Sequence, residues 1–213
     1  MATHQETIRE LLDEAGRTYA AESGITLRDK PAPLYRLLVL SVLLSTRIKA
    51  NIAVAAAREL SDAGMGTAKG MLDASWQDRV DALGRAHYKR YDESTATALG
   101  EGARLLLDQY GGDLRRLRAR AKGDPASVHK LLREFPRLGP VGADIFVREA
   151  QAVWPELRPA LDGKALAGAR RVGLPEDPYR LAELSTEGRL AEMAAALVRV
   201  SLDQKLAAEI NGS

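Results

Sequence analysis

The sequence predicts an all-α protein. Alanine, leucine and arginine dominate its composition, and aromatic residues occupy only 5% of its 213 positions. Runs of valine, isoleucine and threonine, which favour strands, are missing from the sequence. Apolar residues instead recur at the spacing of one helix face along most of the chain. A chain of this length can bury a sizeable core, so we expect one compact unit with two helical lobes.

The first half of the chain contains five predicted helices. They cover residues 3–22, 34–45, 49–60, 76–83 and 92–110. The helix at 3–22 is amphipathic, whereas the helix at 34–45 is apolar all round, which is typical of a helix at the centre of a core. We expect the helix at 92–110 to end in a left-handed cap, because Gly111 or Gly112 can adopt that conformation.

Six further helices are predicted in the second half. They cover residues 114–121, 125–135, 141–153, 166–172, 177–184 and 186–210. The helix at 125 has a well-marked start, because Asp124 can cap it and Pro125 suits the first helical position. Its expected apolar face consists of Val128, Leu131, Leu132 and Phe135.

The composition excludes several classes of site. The sequence has no cysteine, so disulfides, cysteine-ligated zinc and iron–sulfur clusters are excluded. Its three histidines are scattered, and we expect neither a metal nor a cofactor. The longest apolar run, 37–45, is far shorter than the roughly 20 residues of a membrane span. The N-terminus lacks a signal pattern, so we expect a cytoplasmic monomer, nucleoid-associated if bacterial, with no membrane contact.

Positive charge is concentrated in one part of the chain. Residues 111–171 carry 13 Lys and Arg against 7 Asp and Glu, whereas the remaining residues carry 18 against 22. A basic segment on a nearly neutral chain suggests an anionic partner, with nucleic acid as the first candidate. The alternative is a solvated helical surface.

The nonapeptide RLGPVGADI, residues 137–145, forms a sharp turn between two predicted helices. Gly139 and Gly142 leave backbone N–H groups uncovered at a helix N-terminus, where free amides and the helix dipole bind anions. A backbone phosphate would fit there without any reading of base sequence, and Arg137 lies beside it. We expect Leu138 and Val141 to point inward and hold the two helices together. The alternative is an ordinary helical hairpin in which the glycines only satisfy backbone geometry.

The residues around this turn resemble a known family. LLREFPRLGPVGADIFVREAQAVWPELRPALD, residues 131–162, is similar to the helix-hairpin-helix and Gly/Pro-Asp signature of the endonuclease III superfamily of DNA glycosylases. In that family an aspartate follows about 20 residues after the last hairpin glycine; here Gly142 and Asp162 are 20 residues apart. Together with weaker similarity upstream, the resemblance covers residues 34–171.

The resemblance implies an endonuclease III-like, two-lobed helical fold. Residues 34–157 would form a helical-barrel lobe that contains the helix-hairpin-helix at 125–153. Residues 1–33 and 158–213 would form the second lobe, which carries the aspartate. The partner implied is double-stranded DNA, and the activity is that of a DNA glycosylase in base excision repair.

The sequence departs from the family at three places. Members that nick the strand carry a lysine two residues after the second hairpin glycine, and that position is Asp144 here. An aspartate cannot form the imine with the sugar, so lysine-dependent lyase activity is not expected and the chain resembles members that only remove the base. The four-cysteine cluster loop is missing. The turn reads G-P-V-G instead of P-G-V-G, so Pro140 removes one amide.

Asp162 matches the family's catalytic aspartate. A carboxylate beside the deoxyribose can stabilise the positive charge that develops as the base leaves and can orient or deprotonate the attacking water. The alternative is that Asp162 caps a helix, and the two roles are compatible. Lys164 is the only candidate for a substitute nucleophile; its alternative is a phosphate or solvent contact. The role of Asp144 stays open.

The resemblance also assigns residues to base flipping. An enzyme that removes a base from the stack fills the vacated space with a side chain, and Arg47 in STRIKA aligns best with that residue. Arg47 and Lys49 are alternatively a charged helix entry. RAHYKRYD, residues 85–92, alternates basic and aromatic residues and could face DNA, or form an ordinary loop.

Two functional hypotheses therefore remain open. The first is a monofunctional DNA glycosylase that hydrolyses the N-glycosidic bond of a flipped, damaged or mismatched base. The second is a non-catalytic helix-hairpin-helix protein that binds DNA. A third, a helical protein–protein adaptor, would require the basic excess and the hairpin to be accidental. No short motif identifies the base.

Overall fold

The computed structural model describes residues 3–185 and 188–212, and within these ranges the chain contains helices and loops but no strand. The helices of the first half are α1 His4–Ala15, α2 Tyr19–Glu22, α3 Pro31–Leu44, α4 Ala50–Leu60, α5 Ala68–Asp73, α6 Trp76–Arg85 and α7 Asp92–Tyr110. Those of the second half are α8 Leu114–Arg120, α9 Pro125–Leu132, α10 Gly139–Ala150, α11 Gly163–Arg171, α12 Pro178–Leu184, α13 Leu190–Leu202 and α14 Gln204–Gly212. The all-α prediction is confirmed.

The chain divides into two compact units. One consists of Met1–Tyr19 and Val147–Ser213, and the other of Ala20–Phe146. We call them the terminal unit and the central unit. The predicted functional lobes, 34–157 against 1–33 with 158–213, have other boundaries and stay a prediction.

The terminal unit is built around α13. This helix packs against α1, α11 and α14, and nine of its residues are buried, alanine and leucine prominent among them. The contact with α11 is very close at Gly168, where an added Cβ would lie 1.9 Å from the carbonyl oxygen of Leu197. Only glycine therefore allows these two helix backbones to approach so closely.

The central unit contains the apolar helix α3 and the long helix α7. Nine residues of α3 are buried, and α3 packs on α4 and α8, while α7 packs on α5, α6 and α8. The predicted cap of α7 is confirmed, because Gly111 has a left-handed φ of 59° and donates its N–H to the end of the helix. No helix in the described part of the chain has both the length and the apolarity needed to cross a membrane.

The helix predicted at 3–22 is divided in two. α1 ends at Ala15 and α2 begins at Tyr19, with Gly16 as the cap of α1. Glycine favours helix termination because of its low helix propensity. The backbone N–H of Tyr19 donates to Oε1 of Glu149 at 3.1 Å, which satisfies one of the unpaired donors at the start of α2.

The helix predicted at 186–210 is also divided, and Thr186 lies outside the described residues. α13 ends at Leu202, and Asp203 has an extended backbone with φ −121° and ψ 111°. Its Oδ1 accepts hydrogen bonds from the N–H groups of Lys205 and Leu206 at 2.9 and 3.3 Å. Asp203 thus ends α13 and caps α14, a use of aspartate that the apolar periodicity of the segment does not show.

Candidate functional site

α9 and α10 form a helical hairpin around the turn at 133–138. Asp124 caps α9 by accepting a hydrogen bond from the Ser127 N–H at 2.8 Å, and Pro125 is the first residue of the helix, as predicted. Hydrogen bonds from the side chain and backbone of Ser127 lower the pKa of Asp124 below its usual value. The start of the hairpin is therefore fixed by local chemistry.

The turn is stabilised from inside by Leu138. This residue is 1% exposed, and its side chain contacts Gly142, where an added Cβ would lie 2.7 Å from a Leu138 methyl group. Val141 was expected to point inward as well, but it is 49% exposed. α10 begins earlier than predicted, at Gly139, so Val141 occupies the solvent side of its first turn.

Two backbone amides at the start of α10 are unpaired. In the described ranges, the N–H groups of Gly139 and Val141 have no acceptor, and Pro140 has no N–H. The Gly142 amide, expected to be free, donates to the Leu138 carbonyl oxygen at 2.9 Å and is buried. Gly139 adopts a left-handed φ of 57°, which turns the chain into the helix. An anion at this N-terminus would thus meet the amides of Gly139 and Val141.

Asp144 pairs with His129 across the hairpin. The Nε2 atom of His129, on α9, lies 2.9 Å from Oδ1 of Asp144, on α10. The two side chains are 28% and 44% exposed respectively. Asp144 therefore connects the two helices of the hairpin and does not cap α10.

Asp162 caps α11 and pairs with an arginine. Its Oδ1 accepts hydrogen bonds from the N–H groups of Lys164 and Ala165 at 2.9 and 3.0 Å. Its Oδ2 accepts a hydrogen bond from Nη1 of Arg148, whose side chain is only 3% exposed, against 13% for Asp162. Both carboxylate oxygens are thus held by donors of the protein. Lys164 is exposed, and only its backbone takes part in the cap.

Gln151 positions the segment that precedes Asp162. Its fully buried side chain donates to the carbonyl oxygens of Arg148 and Ala160, each at 2.9 Å. Its Oε1 accepts the N–H of Ala160 at 3.0 Å. One amide side chain therefore ties the end of α10 to the chain two residues before the aspartate.

Three residues of the site were not predicted from the sequence: Arg148, Gln151 and His129. Arg148 and Glu149 lie within IFVREAQAV, which is otherwise mostly apolar, and both are buried. Charged residues are rarely buried without a partner, so two charges in an apolar helix were a usable signal. Nothing local marks Gln151 or His129, because their partners come from other segments.

The predicted cations of the central unit are exposed. Arg47 and Lys49 lie in the turn between α3 and α4, and Arg137 lies in the hairpin turn with a left-handed φ of 60°. Arg47 and Arg137 line the same open pocket, of about 480 Å³, and the other lining residues are Ser45, Thr46 and Tyr91. The structure thus brings Arg47 and Arg137 together. Within RAHYKRYD, Tyr88 is buried and Tyr91 is half-buried.

The comparisons with known proteins support the fold. No protein-family model and no curated protein matches the chain. A solved structure described as a trapped endonuclease III–DNA covalent intermediate, an estranged-adenine complex, is similar with a TM-score of 0.50 and 16% sequence identity. The similarity covers 93% of this chain and 85% of that chain. The chain thus has an all-helical fold similar to that of endonuclease III, and at this identity the likeness extends to the fold alone.

Proposed function

We propose that this protein is a monofunctional DNA glycosylase that binds duplex DNA through the α9–α10 hairpin and removes a flipped base with Asp162. The observation that carries the proposal is the hairpin, where the amides of Gly139 and Val141 at a helix N-terminus have no acceptor among the described residues. Backbone amides bind phosphate without reading sequence, as a lesion-scanning protein requires. The endonuclease III-like fold over nearly the whole chain supports the same function.

Asp162 would act on the sugar. Base departure leaves positive charge on the deoxyribose, which a fixed carboxylate stabilises, and the same group can orient or deprotonate the attacking water. The cap and the Arg148 pair hold this carboxylate in one position, which favours a preorganised charge. Lys164 would contact phosphate or solvent.

Asp144 argues against a covalent mechanism. A carboxylate cannot form the imine that a lysine forms with the sugar. Here the Asp144 carboxylate is hydrogen-bonded to His129 instead. Water would then be the attacking group, and the abasic product would keep both its phosphodiester bonds.

One experiment tests this chemistry. Duplexes that each contain a single lesion or mismatch are incubated with the protein, and strand breaks are measured with and without alkaline treatment. We expect breaks only after alkali and no covalent adduct with borohydride. Breaks without alkali, together with an adduct that disappears in Lys164→Ala, would show that a lysine performs the reaction.

A second candidate, a non-catalytic DNA-binding protein, is favoured by a specific observation. Both oxygens of Asp162 already accept hydrogen bonds, from Arg148 and from the start of α11. A carboxylate with such a role can be purely structural. This candidate predicts binding to the same duplexes, with no base released from any of them.

A further inference from the structure

The pocket lined by Ser45, Thr46, Arg47, Tyr91 and Arg137, here called the two-arginine pocket, is a concentration of unbalanced positive charge. None of its five lining residues is acidic. In the part of the chain that the structure describes, Arg47 forms no ion pair, and Arg137 has no carboxylate partner. Two guanidinium groups that line one pocket repel each other unless an anion lies between them.

Arg137 is held in place before any ligand binds. Its Nη1 donates to Oγ of Ser94 at 2.8 Å, and its guanidinium carbon lies 5.7 Å from the ring centroid of Tyr91. The hydroxyl oxygen of Ser45, which donates to the Val42 carbonyl oxygen at 2.8 Å, also lies 3.3 Å from the carbonyl oxygen of Arg137. The left-handed φ of 60° at Arg137 is unfavourable for a residue with a side chain, and such strain persists where the surroundings fix it.

The base of the pocket is rigid. Oγ1 of Thr46 lies 2.7 Å from the Oη atom of Tyr88, which is fully buried. Arg47, which carries the second guanidinium, is exposed and directly follows the hydrogen-bonded Thr46. Arginine presents five N–H donors, and within the described ranges only one of those of Arg137 has an acceptor in the protein.

We infer that the two-arginine pocket binds a backbone phosphate of the DNA, at a site separate from the amides of the hairpin. Guanidinium groups match phosphate oxygens in charge and geometry. This inference rests on the proposed function, since it assigns part of the same DNA interface.

The neighbouring hairpin indicates that the anion bound in the two-arginine pocket is a phosphate of a nucleic acid strand. Arg137 precedes Gly139, with its unpaired amide, by two residues, so their Cα atoms are at most ~7 Å apart. Two anion-binding groups at that separation suit a polymer of closely spaced phosphates better than a single small anion. We expect the pocket and the amides to contact phosphates of one strand.

The test measures the affinity of the whole protein for a fluorescent duplex by anisotropy, at several salt concentrations. Arg137→Ala should weaken binding about tenfold at low salt, the effect of losing one charge-assisted contact. It should also reduce the slope of log K against log salt by about 0.9, the value for one phosphate. Arg137→Gly, which accommodates the left-handed φ, should behave in the same way and excludes a folding effect.

The matched control is Arg104→Ala. Arg104 is an exposed arginine of the central unit that lines a different depression, beside Glu101 and Asp108. Its loss removes one positive charge but should leave affinity and slope close to wild type. If Arg137→Ala and Arg104→Ala bind equally well with equal slopes, the pocket inference is wrong while the proposed function stands. If the wild-type protein does not bind duplex DNA at all, both are wrong.

Discussion

Gly168 sets the distance between α11 and α13 at the scale of a single residue. An added Cβ would lie 1.9 Å from the Leu197 carbonyl oxygen and 2.6 Å from its carbon, and these are backbone atoms that cannot rotate away. α11 begins at the residue after Asp162, so its placement also places the aspartate. The absence of a side chain at Gly168 therefore affects the position of Asp162 in the candidate site.

We predict that Gly168→Ala lowers the free energy of unfolding by about 3 kcal/mol, because the two helices must separate. Gly163→Ala, on the same helix, is the control, since a Cβ there meets no atom within 4 Å. Chemical denaturation of both variants measures the difference. Equal stabilities would show that the helices separate at little cost.

Residue-scale predictions from the sequence succeeded where the chemistry is local. Asp124 with Pro125 starts α9, and Gly111 ends α7, because caps depend on residues within one turn. The exposure of Val141 was not predictable from the turn, because it depends on where α10 begins. The Arg148–Asp162 pair spans 14 residues, and its geometry depends on how α10 and α11 are placed.

At the scale of elements, the connection between α10 and α11 is fixed by side chains. Gln151, the residue that follows α10, forms hydrogen bonds with both the N–H and the carbonyl oxygen of Ala160. Arg148, three residues earlier and within α10, holds Asp162. A side chain of α10 and the side chain just after it thus position the carboxylate that caps the next helix, which a helix-by-helix interpretation of the sequence cannot reveal.

Gln151→Met tests this positioning role. Methionine is similar in size but removes the side-chain partners of the N–H and the carbonyl of the half-buried Ala160, so we expect a loss of about 2 kcal/mol in the free energy of unfolding. We also expect slower base release with unchanged affinity for DNA. The control is Gln204→Met at an exposed position of the terminal unit. Unchanged base release in a folded Gln151→Met protein would contradict the positioning role.

At the scale of the whole molecule, the helical class follows from composition and periodicity, and the likeness to an endonuclease III structure agrees with it. The order of helices was predicted more successfully than their ends. Breaks at 16–18 and at Asp203 were missed, because apolar periodicity continues across both. The terminal and central units depend on long-range packing, which composition and periodicity do not show.

The central claim is that Asp162 performs hydrolysis on a DNA substrate. The most direct measurement is the rate of free-base release, under single-turnover conditions, from a duplex of the lesion panel from which the wild-type protein removes a base. Asp162→Asn is compared with Asp177→Asn, because Asp177 also caps a helix of the terminal unit, accepting the N–H of Arg180 at 2.8 Å. Asp162→Asn leaves Arg148 without its carboxylate, so thermal unfolding verifies that each variant is folded. If Asp162→Asn is not folded, Asp162→Glu, which keeps the negative charge, is measured in its place.

We predict that Asp162→Asn reduces base release by at least about 100-fold, the usual contribution of a positioned acid–base group, with DNA affinity unchanged. Asp177→Asn should release base at the wild-type rate. Base release by folded Asp162→Asn at the wild-type rate, or no release from any duplex by the wild-type protein, would contradict the account.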